Sequence, residues 1–116
     1  MAFILDDLDD TFDWKVKLPI PTKNKRETHT FTATFKRITQ DRFEELARLQ
    51  NEEGMTNTQI VKEIMVGWSG MQDKEGNELP FTESKLDKLL NVAGASAFIA
   101  NSFSEAYTGG LKRKNF

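Results

Sequence analysis

The sequence predicts an α+β fold, an N-terminal β-hairpin packed against a bundle of about four helices, and three observations carry that expectation. Residues 12–35 alternate with period two, the residues after position 39 repeat at helical spacing, and no repeat or long linker divides the chain. The 116 residues make one domain, 1–116, with an acidic flexible start over 1–11 and a basic flexible tail over 111–116.

The first strand places Phe12, Trp14, Val16, Leu18 and Ile20 on one face and Asp13, Lys15 and Lys17 on the other. Pro19 and Pro21 donate nothing to a ladder, so that strand belongs at a sheet edge and leads into a polar loop over residues 22–27. In the second strand His29, Phe31, Ala33 and Phe35 alternate with Thr28, Thr30, Thr32 and Thr34, a β-branched row suited to an exposed pleated face. A two-stranded hairpin with an aromatic inner face is marginal in water and needs a cover.

Helices supply it. Thr39 is placed as the N-cap of the first, with Phe43, Leu46, Ala47 and Gln50 on one side and Gly54 as its stop. Thr56-Asn57-Thr58-Gln59 reads as a capping box opening a second helix, whose apolar stripe is Ile60, Val61, Ile64, Met65 and Trp68. Gly67 and Gly70 break that helix, and residues 73–77 read as a turn. Thr82 caps a third helix carrying Leu86, Leu89 and Leu90. Gly94 restarts the chain into a last helix with Ala95, Phe98, Ile99, Phe103, Ala106 and Tyr107 on one stripe, stopped by Gly109-Gly110.

Composition narrows the chemistry. Apolar residues at 38% and charged residues at 29% describe a globular chain rather than a disordered one. With no cysteine and one histidine, thiolate and multi-histidine metal sites, a cysteine nucleophile and disulfides are excluded. Five aspartates and no basic residue give residues 1–13 a charge of −5, Lys112, Arg113 and Lys114 give the last six +3, and the body between is neutral. That neutrality argues against a broad phosphate-binding face, although Lys23, Lys25, Arg26 and the basic tail remain as phosphate contacts for a small nucleic-acid-binding regulator. The opening residues lack the basic and apolar regions of a signal peptide, and no apolar run is long enough to span a bilayer.

Asp73, Glu75 and Asn77 alternate like calcium-loop ligands, but Gly76 falls fourth where the loop needs its glycine sixth, and Ser84 falls where it needs a glutamate. His29 has neither an orienting carboxylate nor a nucleophile elbow to work with, and glycine-rich phosphate loops are absent. The expectation is a protein that is not an enzyme, with no catalytic residue, no cofactor and no metal. Most of the nine Phe, two Trp and one Tyr are expected in the core. Trp68, Met71 and Phe81 border the turn-rich segment, where they either pin the loop to the core or bind an apolar helix of a partner.

The run Glu63-Ile64-Met65-Val66-Gly67-Trp68-Ser69-Gly70-Met71, then residues 73–82 and a leucine-bearing helix, resembles small tail assembly chaperones of long-tailed bacteriophages and prophages. The closing alanine- and aromatic-rich helix over Ala97 to Tyr107, followed by Gly109-Gly110 and Lys112-Arg113-Lys114-Asn115, also resembles that family. The resemblance spans roughly Phe12 to Asn115 and leaves out the acidic opening. It implies a noncatalytic chaperone in the cytoplasm of the bacterial host, absent from the mature virion. Such a protein binds the tape measure protein, keeps it soluble and recruits the tail tube protein. It also implies a short form of a product that frameshifting extends in many members. Partner contacts are expected at Trp68, Met71, Phe81, Phe98, Phe103 and Tyr107, with weak self-association. The alternatives are a tail completion or connector protein of the virion, and the nucleic-acid-binding regulator.

Overall fold

The computed structural model describes residues 1–109. The expected basic tail over 111–116, Gly110 and the C-terminal part of the resembling stretch lie outside those residues.

Strand β1 (Thr11–Thr22) and strand β2 (Lys25–Lys36) pair antiparallel along their whole length, from Thr11 opposite Lys36 to Thr22 opposite Lys25. The polar segment expected as a loop is therefore mostly strand. Only Lys23 and Asn24 turn the chain, and Asn24 takes the left-handed conformation that asparagine tolerates better than most residues.

The hairpin is not alone, which corrects the expected architecture. Strand β3 (Met65–Ser69) pairs antiparallel with β2, giving an open three-stranded sheet in the order β1-β2-β3, with its third strand drawn from the middle of the chain. The stretch expected to continue the second helix through Met65 and Trp68 is this strand. The register shifts between Thr34 and Phe35, so Trp68 faces Ala33, Gly67 faces Thr34 and Met65 faces Phe35, while Val66 is left over and 42% exposed. An extra residue of this kind moves the side chains that follow to the other face. Met65 and Trp68 thereby both point inward despite being three apart, a spacing that in sequence reads as helical.

Four helices follow or flank the sheet: α1 (Gln40–Glu52), α2 (Asn57–Ile64), α3 (Glu83–Leu90) and α4 (Ala95–Thr108). Their starts follow from local chemistry. The Thr39, Thr56 and Thr82 hydroxyls accept from the amides of Arg42, Gln59 and Lys85, and the Gln59 side chain returns a bond to the Thr56 amide, completing the capping box. Gly94 precedes α4 at φ 86°, a conformation that penalises any Cβ.

These helices do not form the expected four-helix bundle. α4 is the central element, packed on β1, on α2 and, more lightly, on α3, while α2 runs directly into β3. Lys62 Nζ ties α2 to α3 through Asp87 at 2.6 Å. α1 packs less closely on the other helices than α2 and α4 do on each other, and is fastened by Leu46, buried in the core from its middle, and by side chains at its two ends. The core between sheet and helices is built on Val16, Phe35, Val61, Ile64 and Ile99, all fully buried. At about 1.5–3 kcal/mol for each such side chain, this set supplies much of the drive that holds the sheet face to α2 and α4. The far half of the hairpin, residues 21–30, extends beyond this core and is exposed throughout. No helix among the described residues is long and apolar enough to cross a membrane.

Candidate functional site

Of the six side chains expected to meet a partner, five fall into two regions and Phe98 stands by itself. Trp68, Met71 and Phe81 lie half-buried at the β3 side of the core. The Trp68 indole donates to the Leu79 carbonyl at 2.8 Å and its ring meets Phe81 edge-on at 4.8 Å. A polar turn is folded beneath this pair: the Asp73 carboxylate accepts from the amides of Glu75 and Asn77, and Glu78 accepts from the Gly70 amide. The Leu79 amide donates to the Met71 carbonyl at 2.7 Å. Asp73 thus spends one carboxylate oxygen, Oδ1, on its own turn, and both aromatic rings hold residues 70–81 against the sheet.

Phe103 and Tyr107 belong to a second cluster. Phe103 is 3% exposed and meets Phe35 edge-on at 5.2 Å, while Phe12 and Phe43 flank it at 6.3 and 6.4 Å. Tyr107 accepts from the Ile38 amide at 3.0 Å and packs edge-on against Phe12 and Phe43, which secures the chain entering α1. Phe98 stands apart from both clusters, 41% exposed on α4.

The aromatic cluster fixes one end of α1, and a second set of contacts fixes the rest. The Gln50 side chain donates to Asn57 Oδ1 at 2.6 Å, and Arg42 Nε donates to Glu63 Oε2 at 2.7 Å while the same guanidinium also pairs with Glu45. The hydrogen bond from Arg42 holds the Glu63 carboxyl below the usual carboxylate range, and those to Glu63 and Glu45 raise the Arg42 guanidinium further. Between these fastenings α1 stands off from α2 and α4 and leaves an open groove of about 450 Å³.

Phe43, Leu46, Ile60 and Phe103 form the apolar floor of this groove, with Ala47 at its wall. Its rim is made of uncharged amides and a hydroxyl, from Gln50, Asn51, Asn57, Asn101 and Ser104. A volume in the range of about 300–1,000 Å³ with an apolar lining and few polar groups is the usual form of a binding cleft. Amides suit the edge of a groove that takes backbone or polar side chains of an incoming helix, because each both donates and accepts. Phe103 is the one sequence-expected residue that reaches this groove. Phe43, Leu46, Ala47 and Gln50 were legible as one side of a helix, but nothing local says that this side stays partly uncovered.

Among the described residues no three His, Cys, Asp or Glu side chains gather as metal ligands. His29 sits on the hairpin arm with its side chain 62% exposed, 3.6 Å from Glu27. Comparison with protein-family models, curated proteins and solved structures gives no match to this chain.

Proposed function

We propose that this chain is a noncatalytic assembly chaperone for the tails of long-tailed phages, acting in the cytoplasm of the bacterial host on the tape measure protein. The observation that carries the reading is the groove between α1, α2 and α4, apolar on its floor and amide-rimmed, open to solvent and wide enough for the side chains of an amphipathic helix. The resemblance of residues 63–82 and 97–115 to tail assembly chaperones supplies the identity of the client, a long helix-rich protein. A chaperone of this kind works by binding energy alone, covering apolar stripes of the client until tube subunits replace it.

Trp68 and Phe81 support the groove reading by being spent elsewhere, on each other and on the Leu79 carbonyl. The client is therefore assigned to Phe43, Ala47, Gln50, Ile60, Phe103 and Ser104. Co-expression with the longest helical protein encoded downstream in the same gene cluster tests this directly. The expected result is a soluble complex of the two. A client that stays insoluble and uncaptured removes the reading, and stoichiometric recovery of this chain from purified virions replaces it with the connector protein.

A further inference from the structure

The first ten residues expose an unusual set of side chains. Phe3, Ile4, Leu5 and Leu8 are 75, 56, 69 and 45% exposed, and Asp6, Asp7, Asp9 and Asp10 stand between and after them. None of these carboxylates has an ion-pair partner among the described residues. The segment is not loose at its root. Arg37 grips it through its amide to the Asp10 carbonyl at 2.8 Å and through Nε to the Asp9 carbonyl at 2.7 Å, next to the Lys36 end of the sheet.

The other end of the same sheet is its complement. Beyond the core the hairpin tip, residues 21–30, carries Lys23, Lys25 and Arg26 against Glu27 alone, a net charge of +2, with Lys15 and Lys17 further back on β1, and none of the five cations is ion-paired among the described residues. Residues of β1 two apart share a face, so Pro19 and Pro21 lie on the side of Lys15 and Lys17, and Pro21 stands directly opposite Arg26. That face carries two prolines, with Thr28 and Arg26 opposite them on β2 and cations around them. The acidic segment is an apolar strip bordered by anions.

The two cannot meet at the tip within one copy. β1 has 12 residues, about 36 Å at strand rise, whereas the eight residues from Phe3 to Asp10 reach at most about 25 Å. We propose that copies of this chain associate head to tail, the acidic apolar segment Phe3–Asp10 of one copy seated on the tip of the hairpin arm of the next, where Pro19, Pro21 and Arg26 share one face and Lys23 and Lys25 flank the turn. Because Pro19 and Pro21 withhold backbone donors, side chains make this contact rather than strand addition. The interface joins unlike surfaces, so each bound copy leaves one start and one arm free for further copies.

Sedimentation velocity tests the contact with three proteins: the full chain, an arm variant Lys23→Glu/Lys25→Glu/Arg26→Glu, and a start variant Phe3→Ser/Leu5→Ser/Leu8→Ser. All six substituted side chains are exposed, and unchanged thermal melts by circular dichroism check that the fold is kept. The full chain is expected to associate with rising concentration, about tenfold more weakly in roughly 0.5 M salt than in roughly 0.02 M. Each variant alone is expected to stay monomeric, and an equimolar mixture of the two to form a heterodimer and stop there, since it holds one good start and one good arm. A full chain that is monomeric throughout overturns the proposal, as does association that survives in either variant, or a mixture that fails to pair. A monomeric full chain whose arm binds a short DNA duplex, with loss in the arm variant, would assign the arm to nucleic acid instead.

Discussion

Glu63 joins α2 to α1 by accepting from Arg42, and that bond holds its carboxyl below the ordinary carboxylate value. A carboxyl with a lower pKa in the folded than in the unfolded chain adds stability above the unfolded value and loses it as pH falls through the folded one. Glu63→Gln is therefore expected to cost about 0.5–1 kcal/mol near neutral pH, and progressively less as pH falls through the titration of the folded carboxyl. Urea denaturation over a descending pH series checks this, and a loss that does not shrink with falling pH would mean that the side chain matters through packing instead. Trp68 offers a second test at this scale. Trp68→Phe removes the donor to the Leu79 carbonyl while keeping a ring against Phe81, and is expected to cost about 1–3 kcal/mol, with faster exchange of the Leu79 amide and undiminished client binding. Client binding that falls while stability holds would return Trp68 to the partner surface. Threonine caps at 39, 56 and 82 were legible because cap and donor amide lie three residues apart. The Trp68 bond was not, because its partner is 11 residues away across a turn.

At the scale of elements, helix starts were read well and one helix end was not, and the reason is specific to residues 64–68. Ile64, Met65 and Trp68 fit a helical stripe equally well as a buried helix turn or as a strand with one residue bulged out. The choice is made by β2, whose free edge past Ala33 and Phe35 gains a partner only if α2 stops at Ile64. The same non-local demand replaces a two-stranded hairpin by a three-stranded sheet. α2 is short, eight residues, and so depends on its capping box more than a longer helix would. Thr56→Ala is expected to cost about 1 kcal/mol of global stability, with exchange protection falling first at Ile60 and Val61 and β1–β2 pairing untouched. Amide exchange read by NMR resolves this. If protection is lost evenly across the sheet, α2 and the sheet form a single cooperative unit.

Across the whole molecule apolar surface remains after folding at several places. The acidic start exposes Met1, Phe3, Ile4, Leu5 and Leu8, Phe98 stands out from α4, Trp14, Val66, Val92 and Tyr107 are exposed singly, and the groove between three helices sets the half-buried Phe43 beside the buried Ile60 and Phe103. The groove differs from the others in being held open by built contacts at both ends, the Phe43 aromatic contacts at one and the Gln50–Asn57 bond at the other. Its existence was illegible in the sequence because it depends on how far α1 stands from α2 and α4, which no periodicity encodes. Ala47 is exposed at the groove wall, so a large side chain there has room to lie across the apolar floor without displacing a buried residue. Ala47→Trp is expected to leave the thermal midpoint within about 2–4 °C of the parent, since exposed substitutions rarely move stability by more than about 0.5 kcal/mol. It is also expected to weaken capture of a helical client at least about tenfold by occupying the client's place. Isothermal titration with a peptide from the captured client measures the second quantity, and the melt measures the first. Full client affinity with the groove filled would move the binding surface to the acidic start or to Phe98. Loss of both affinity and stability is resolved by Ala47→Gln, which is small enough to leave the floor open and is expected to retain binding if the groove, rather than the integrity of α1, is what the client needs.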